Sequence, residues 1–377
     1  MVQSAFGTRF ARRQAARLLL VITCLIGLVG AGMAREADGA VRTLPHPKGK
    51  VLFGVTDTGE TEDFKDFGRA VGKRPAVIQT FHPWGNTLTK AMPRWRALKA
   101  RPMLHITTKA DDGTELITPL QIANGRGDDY LLRLNRVLAR NTLLTYIRPM
   151  GEPNRCLNYY AGVDCGGNVR GGHYSFDYYR SAFRRIAIIT RGGARRKAIN
   201  RRLRAVGLPK IQKVGKTKRV PKILPAAPVS IVWSPLPAGS PITRSNWPSS
   251  YWPGGRWVDW VGTDFYSRYT NWKHLEDFHR KWAVGKKRPM ALTEWGVWGA
   301  DAPTFVRRLF GFVTKRNRVK MMVYYQDFGS SNEFRIQNFP LSRRILKNWL
   351  STGDFPRYAP GFPRKGQKPF YPGLIPR

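Results

Sequence analysis

Acidic residues are scarce in this sequence. Asp and Glu number 24 in 377 residues against 65 Lys and Arg, which leaves a formal net charge of +41. That imbalance favours acidic partners: nucleic acid, anionic polysaccharide or a cell-envelope polymer. An Arg-rich proteome would leave the same mark. No nucleic-acid recognition motif is present, so no nucleic-acid partner is expected. Cysteine is nearly absent, with only Cys24, Cys156 and Cys165. Stability must therefore come mainly from a core, and 42% hydrophobic and 12% aromatic content can supply one. No internal repeat is present.

Long apolar runs are missing too, apart from residues 18–34. That stretch of 17 uncharged residues follows a basic cluster of Arg9, Arg12, Arg13 and Arg17, and ends in Gly32-Met33-Ala34. Residues 1–34 thus read as an export signal with a small-x-small cleavage pattern. The run lies at the short limit for a membrane span, so an uncleaved anchor is the alternative. Cys24 falls inside it. Cys156 and Cys165 lie nine positions apart, and in an exported protein they read as a disulfide closing one loop. No metal site is expected, since only His173 lies near the pair.

What is present is an alternation of apolar runs with helix-like segments. Residues 35–50 form a polar linker. Strand candidates follow at 51–57, 76–84, 101–109, 146–152, 230–236, 257–267, 289–295 and 321–328. Helical spacing falls between them at 61–71, 87–100, 128–141, 174–204 (interrupted at Gly192-Gly193), 272–283 and 302–314, and again at 341–350. Eight strands with helical connections predict a (β/α)8 TIM barrel over residues 51–352, a monomer, with catalytic groups at the C-terminal strand ends. Polar or aromatic residues close each run: Asp57, His82, His105, Glu152, Trp233, Tyr266, Glu294 and Tyr325. Two segments lie outside the pattern. Residues 191–222 hold 13 Lys and Arg and no acid, and read either as a solvated insertion or as a docking patch for an anionic polymer. Residues 353–377 form a Pro- and Gly-rich tail.

Two strands carry the chemistry. TYIRPMGEPN (145–154) ends in Glu152, and RPMALTEWGVW (288–298) ends in Glu294 between aromatic side chains. Strand alternation would place Arg148, Met150 and Glu152 on one face. Two carboxylates facing each other across a barrel mouth fit glycosidic-bond hydrolysis. One protonates the leaving oxygen while the other attacks the anomeric carbon. Chain order assigns Glu152 as acid/base and Glu294 as nucleophile. Tyr266 would donate a hydrogen bond to Glu294. Arg148, counted with the substrate-binding groups, would set the electrostatics below the site. Trp233, Trp298 and Tyr325 would stack on sugar rings, and Trp84 and His82 would line one rim. No cofactor is required.

These stretches, with YWPGGRWVDWVGTDFYS (251–267) and VYYQDF (323–328), resemble glycoside hydrolase family 26, the β-mannanase family. The resemblance implies a (β/α)8 barrel and retaining hydrolysis of a β-linked polysaccharide, β-mannan or a related envelope or matrix glycan. It implies the same roles for Glu152, Glu294 and Tyr266. One position departs from it. The family usually has His before the acid/base glutamate, and here that residue is Gly151, with Asn154 the nearest side chain to compensate. The expectation is a secreted or envelope-associated hydrolase. The competing expectation is a catalytically weak or inactive barrel that binds polysaccharide or an anionic envelope polymer.

Overall fold

The structure, a computed structural model, describes residues 46–213, 215, 219–326 and 333–361. The expected export signal, most of the linker, the tail beyond residue 361 and the end of the VYYQDF stretch lie outside the described residues. Eight parallel strands close into a barrel in sequential order. They are β1 (Leu52–Thr56), β2 (Val77–Pro83), β3 (Arg101–Thr107), β4 (Thr145–Pro149), β5 (Val229–Trp233), β6 (Trp260–Tyr266), β7 (Met290–Gly296) and β8 (Val319–Tyr324). Each overlaps one of the eight apolar runs. Helices cover the outside, among them α1 (Thr61–Val71), α2 (Ala91–Ala97), α3 (Pro119–Ala123), α4 (Asp128–Asn141) and α5 (Phe176–Arg191). In α1, Phe64, Phe67 and Val71 are buried at helical spacing, Glu62 and Asp63 occupy the first turn, and a left-handed Gly72 ends it. That arrangement matches the dipole and the C-cap rule.

The expected break at Gly192-Gly193 is real. Gly192 has φ 56°, and a Cβ there would stand 2.3 Å from the Pro225 carbonyl oxygen. The chain turns here and begins α6 (Arg196–Arg204). Residues 194–195 pair antiparallel with 223–224, which ties off the basic segment at its base. Ile199 and Leu203 bury one side of α6, while Lys197, Arg201 and Arg204 stay exposed. Three further helices, α7 (Trp272–Phe278), α8 (Pro303–Lys315) and α9 (Pro340–Ser351), complete the outer layer. Among the described residues, no helix is long and apolar enough to cross a membrane.

Inside the ring the side chains change character along the strands. Leu52, Val77, Met103, Tyr146, Val232, Trp260, Ala291 and Met321 form a closed apolar layer. One inward step further on lie Gln79, His105 and Arg148, and Asp264 lies two steps beyond Trp260, all buried and polar. The apolar layer is a floor, and the polar layer stands between it and the mouth.

Candidate active site

β4 stops at Pro149, and a turn of unusual backbone carries the first glutamate. Met150 and Glu152 both adopt left-handed conformations, at φ 46° and 49°. For a residue with a side chain this costs about 1–2 kcal/mol. The surroundings enforce it. Met150 N–H donates to the Ile106 carbonyl at 2.9 Å, and Glu152 N–H to the Ser234 carbonyl at 2.7 Å. Gly151 N–H donates to His105 Nε2 at 3.0 Å, and the Tyr160 hydroxyl donates to the Gly151 carbonyl at 2.6 Å. The expected alternation from Arg148 through Glu152 therefore fails. Arg148 points inward, but Met150 packs into the outer core. The turn, not the strand, aims Glu152 at the barrel mouth.

Arg148 explains Gly151. A Cβ at residue 151 would lie 2.6 Å from Arg148 Nε and 2.8 Å from Cζ. The guanidinium fills the space that a larger residue would claim. Asn154 does not compensate. Its amide is spent on the Leu236 and Ala238 carbonyls and the Leu236 N–H, pinning the loop after β5.

The second glutamate owes its direction to a bulge. Against β6, Leu292 pairs with Thr263 but Glu294 with Asp264. Against β8, Leu292 pairs with Met322 and Trp295 with Tyr324. On both sides β7 holds one residue more than its neighbour. Bulges of this kind re-aim side chains. Here Glu294 turns into the mouth beside Asp264 while Trp295 returns to the outer core.

Arg148 joins these parts. It is fully buried, and its fork bonds Glu294 Oε1 through Nη1 and Asp264 Oδ2 through Nη2. Nε donates to Ser234 Oγ at 2.6 Å. Glu294 also accepts from Tyr266 OH on Oε2 at 2.8 Å and from Gln79 Nε2 on Oε1 at 3.3 Å. Asp264 is further held by Thr293 Oγ1 at 2.5 Å. One cation thus serves two buried carboxylates. Burial pushes the Glu294 carboxyl above its ordinary 4.5, with Glu152 adding repulsion, while Arg148 and Tyr266 pull against the rise. Burial raises Asp264 much further. Burial and then the Arg148 charge hold His105 well below its ordinary value, so its ring is neutral. Nε2 accepts from Gly151 N–H, and Nδ1 lies 3.4 Å from Arg148 Nη1 and 3.8 Å from Glu294 Oε1.

Glu152 and Glu294 line the same cavity of about 770 Å3, with Tyr266, Trp298 and Tyr325. Tyr266 meets Trp298 edge to face at 5.7 Å, and Tyr325 meets Phe334 at 4.8 Å, forming an aromatic wall. Four expected contacts are not there. Arg148 lies beneath the carboxylates, at 0% exposure, and cannot touch a sugar. Trp233 follows the inward Val232, so it faces out, fully buried against Trp252 and Trp282. His82 and Trp84 also face out and pack on Tyr130. Phe81, paired with the inward His105, is the residue of β2 that faces the cavity.

Cys156 and Cys165 form a disulfide just past Glu152. Cys156 N–H also donates to the Ser240 carbonyl at 2.8 Å, so the loop beside the site is held at two points. Several site residues escaped the sequence reading: Gln79, Ser234, Asp264, Arg155 and Tyr160. Asp264 was within reach, two positions before Tyr266 on the same strand face. Arg155 and Tyr160 sit in an irregular loop, and no periodicity marks them.

No family model and no curated protein matches the sequence. Solved structures do match the fold. The catalytic domain of a Bacillus sp. JAMB-750 family 26 endo-β-1,4-mannanase aligns with a TM-score of 0.53 at 14% identity, over 81% of this chain and 87% of that one. A Cellulomonas fimi endo-β-1,4-mannanase gives 0.52 at 14%, over 82% and 72%. A family 26 β-mannanase from Bacteroides ovatus gives 0.50 at 15%, over 81% and 90%. The chain is similar in fold to the mannanases of glycoside hydrolase family 26. The expected barrel is the observed one.

Proposed function

We propose that this protein is an exported glycoside hydrolase that cleaves β-linked polysaccharide with retention, acting on β-mannan or a related envelope or matrix glycan. The supporting observation is the asymmetry of two glutamates on one cavity. Glu294 is clamped by Arg148, Tyr266 and Gln79, as a nucleophile that must stay charged and aimed requires. Glu152 hangs from a turn, with one side-chain partner among the described residues, as a group that gives and takes a proton requires. In this reading Glu294 attacks the anomeric carbon while Glu152 protonates the departing oxygen. Glu152 then deprotonates the water that breaks the glycosyl-enzyme. The aromatic wall of Tyr266, Trp298 and Tyr325 stacks on sugar rings. The fold likeness to mannanases and the disulfide, at home in an oxidising compartment, support the reading. Export itself rests on residues 1–34.

The test is a panel of β-linked polysaccharides followed by reducing-end release, with the product anomer read by proton NMR. Release with the β-anomer appearing first is expected. Binding without release from any member would favour the inactive-barrel reading instead.

The basic segment is the proposed docking site for an anionic envelope polymer. Arg195, Lys197, Arg201, Arg204, Lys210 and Lys213 are exposed there without an acidic neighbour in the segment. Retention on an immobilised polyanion should weaken steeply with salt, because each phosphate-like contact releases counterions. Neutralising Lys197, Arg201 and Arg204 together with Gln should move elution to lower salt. An unchanged elution position would assign the charge to the surface at large.

A further inference from the structure

The Glu152 turn places a second guanidinium in the cavity that the hydrolytic mechanism does not require. Arg155 lies one turn after Glu152 and donates from Nη1 to Glu152 Oε2 at 3.0 Å. This is its one side-chain bond among the described residues, yet a guanidinium has five N–H donors in a fixed fork. Its side chain is 41% exposed and lines the cavity with Lys109. The backbone beneath it is fixed from both sides. Arg155 N–H donates to the Glu152 carbonyl at 3.0 Å, Arg155 bridges Ser240, and the next residue is the disulfide-bonded Cys156. The contrast with Arg148 is informative. Arg148 is buried and divides its fork between two carboxylates. Arg155 is held at the cavity surface with most of its fork unspent among the described residues.

This arrangement suits an anionic sugar better than a neutral one. Glu152 must release a proton to the leaving oxygen, but Oε2 is accepting from a cation. A neutral substrate leaves that bond in place. An anionic substrate offers the guanidinium another partner of the planar, two-oxygen shape it binds best. Building on the hydrolase reading above, we infer that the substrate is an acidic β-linked glycan whose anionic group is taken by Arg155, with Lys109 at the rim, so that substrate binding draws Arg155 off Glu152. Arg155 is then a specificity residue, and it couples recognition of charge to release of the acid/base oxygen. The net charge of +41 gathers such polymers toward the surface.

The experiment uses the full protein carrying Glu294→Gln, so that binding is read without turnover. The probes are β-1,4-linked mannohexaose, its uronate counterpart with a carboxylate at each C6, and a 6-sulfated mannohexaose. Calorimetry should give tighter binding of an anionic hexamer than of the neutral one, with the preference fading as salt rises. The carboxylate arm against the sulfate arm identifies which anion fits the fork. Adding Arg155→Gln should weaken the preferred anionic hexamer about 10- to 100-fold more than the neutral one, the range for one charged hydrogen bond. Arg155→Lys should recover part of that loss. Equal binding of neutral and anionic hexamers, or equal weakening of both by Arg155→Gln, overturns the proposal. Turnover by the unmutated protein separates the two readings. Anionic preference without hydrolysis would sink the hydrolase and leave the charge recognition standing. Hydrolysis without anionic preference would do the reverse.

Discussion

Glu294→Gln should abolish hydrolysis while leaving the fold intact, a loss of about 10^4-fold or more in kcat by comparison with removal of other covalent nucleophiles. The substitution suits the site. The Gln carbonyl can take the place of Oε1 and accept from Arg148 and Gln79, and the amide can face Tyr266, whose hydroxyl then accepts. Shape and packing are kept, and the negative charge is lost. Because burial already opposes that charge, the melting temperature should change little. Glu152→Gln should be as damaging on natural glycans, but its signature differs. An aryl glycoside whose leaving group needs no proton should still form the glycosyl-enzyme in the Glu152 variant and stall there, giving a burst. The Glu294 variant should give no burst with any leaving group. Activity on polysaccharide within tenfold of the parent in either variant would refute the assignment, provided the variant melts as the parent does.

The parts of this molecule that obey a period were legible before the structure. All eight strands and the interruption at Gly192 follow from apolar alternation and glycine placement. Tyr266 ends its strand, so its place at the mouth follows from the period, whereas Glu294 is aimed there by the β7 bulge. Errors arose where the backbone leaves the period. Glu152 was expected at the mouth for the wrong reason: strand alternation would have carried Met150 inward with it, and two left-handed residues intervene. The β7 bulge inserts one residue, and no local composition around Thr293 marks it. Parity also explains the misplaced aromatics. Trp233, His82 and Trp84 end apolar runs and so resemble site residues, yet Val232 and Phe81 are the inward members of those pairs. The hub was the deepest omission. Arg148 was seen on its own strand, but its partners Gln79, Ser234 and Asp264 come from three other parts of the chain. Only closure of the ring brings them together.

Arg148→Met should be the most damaging single change to stability, and it should weaken the chemistry as well. It removes the one cation shared by Asp264 and Glu294 and leaves both carboxylates buried. Breaking a buried pair from one side costs about 3–5 kcal/mol. The direction with pH follows from the proton balance. Without the guanidinium, both carboxyls rise further above their values in the unfolded chain, so the folded state binds more protons. The variant should therefore be most stable in mild acid and lose stability as pH climbs through the raised values, more steeply than the parent. Its acidic limb of kcat/KM should move upward as well, because Glu294 must shed a proton to attack. Asp264→Asn in the same background should recover part of the stability by removing one of the two stranded charges. Gly151 supplies an independent check on the geometry. Gly151→Ala should harm the parent, since the new Cβ meets Arg148 Nε and Cζ at 2.6 and 2.8 Å. It should be tolerated better once residue 148 is Met, whose thin chain can bend aside. If the two substitutions simply add, Arg148 is not what demands a glycine before the acid/base glutamate, and its place as hub of the site is lost with that.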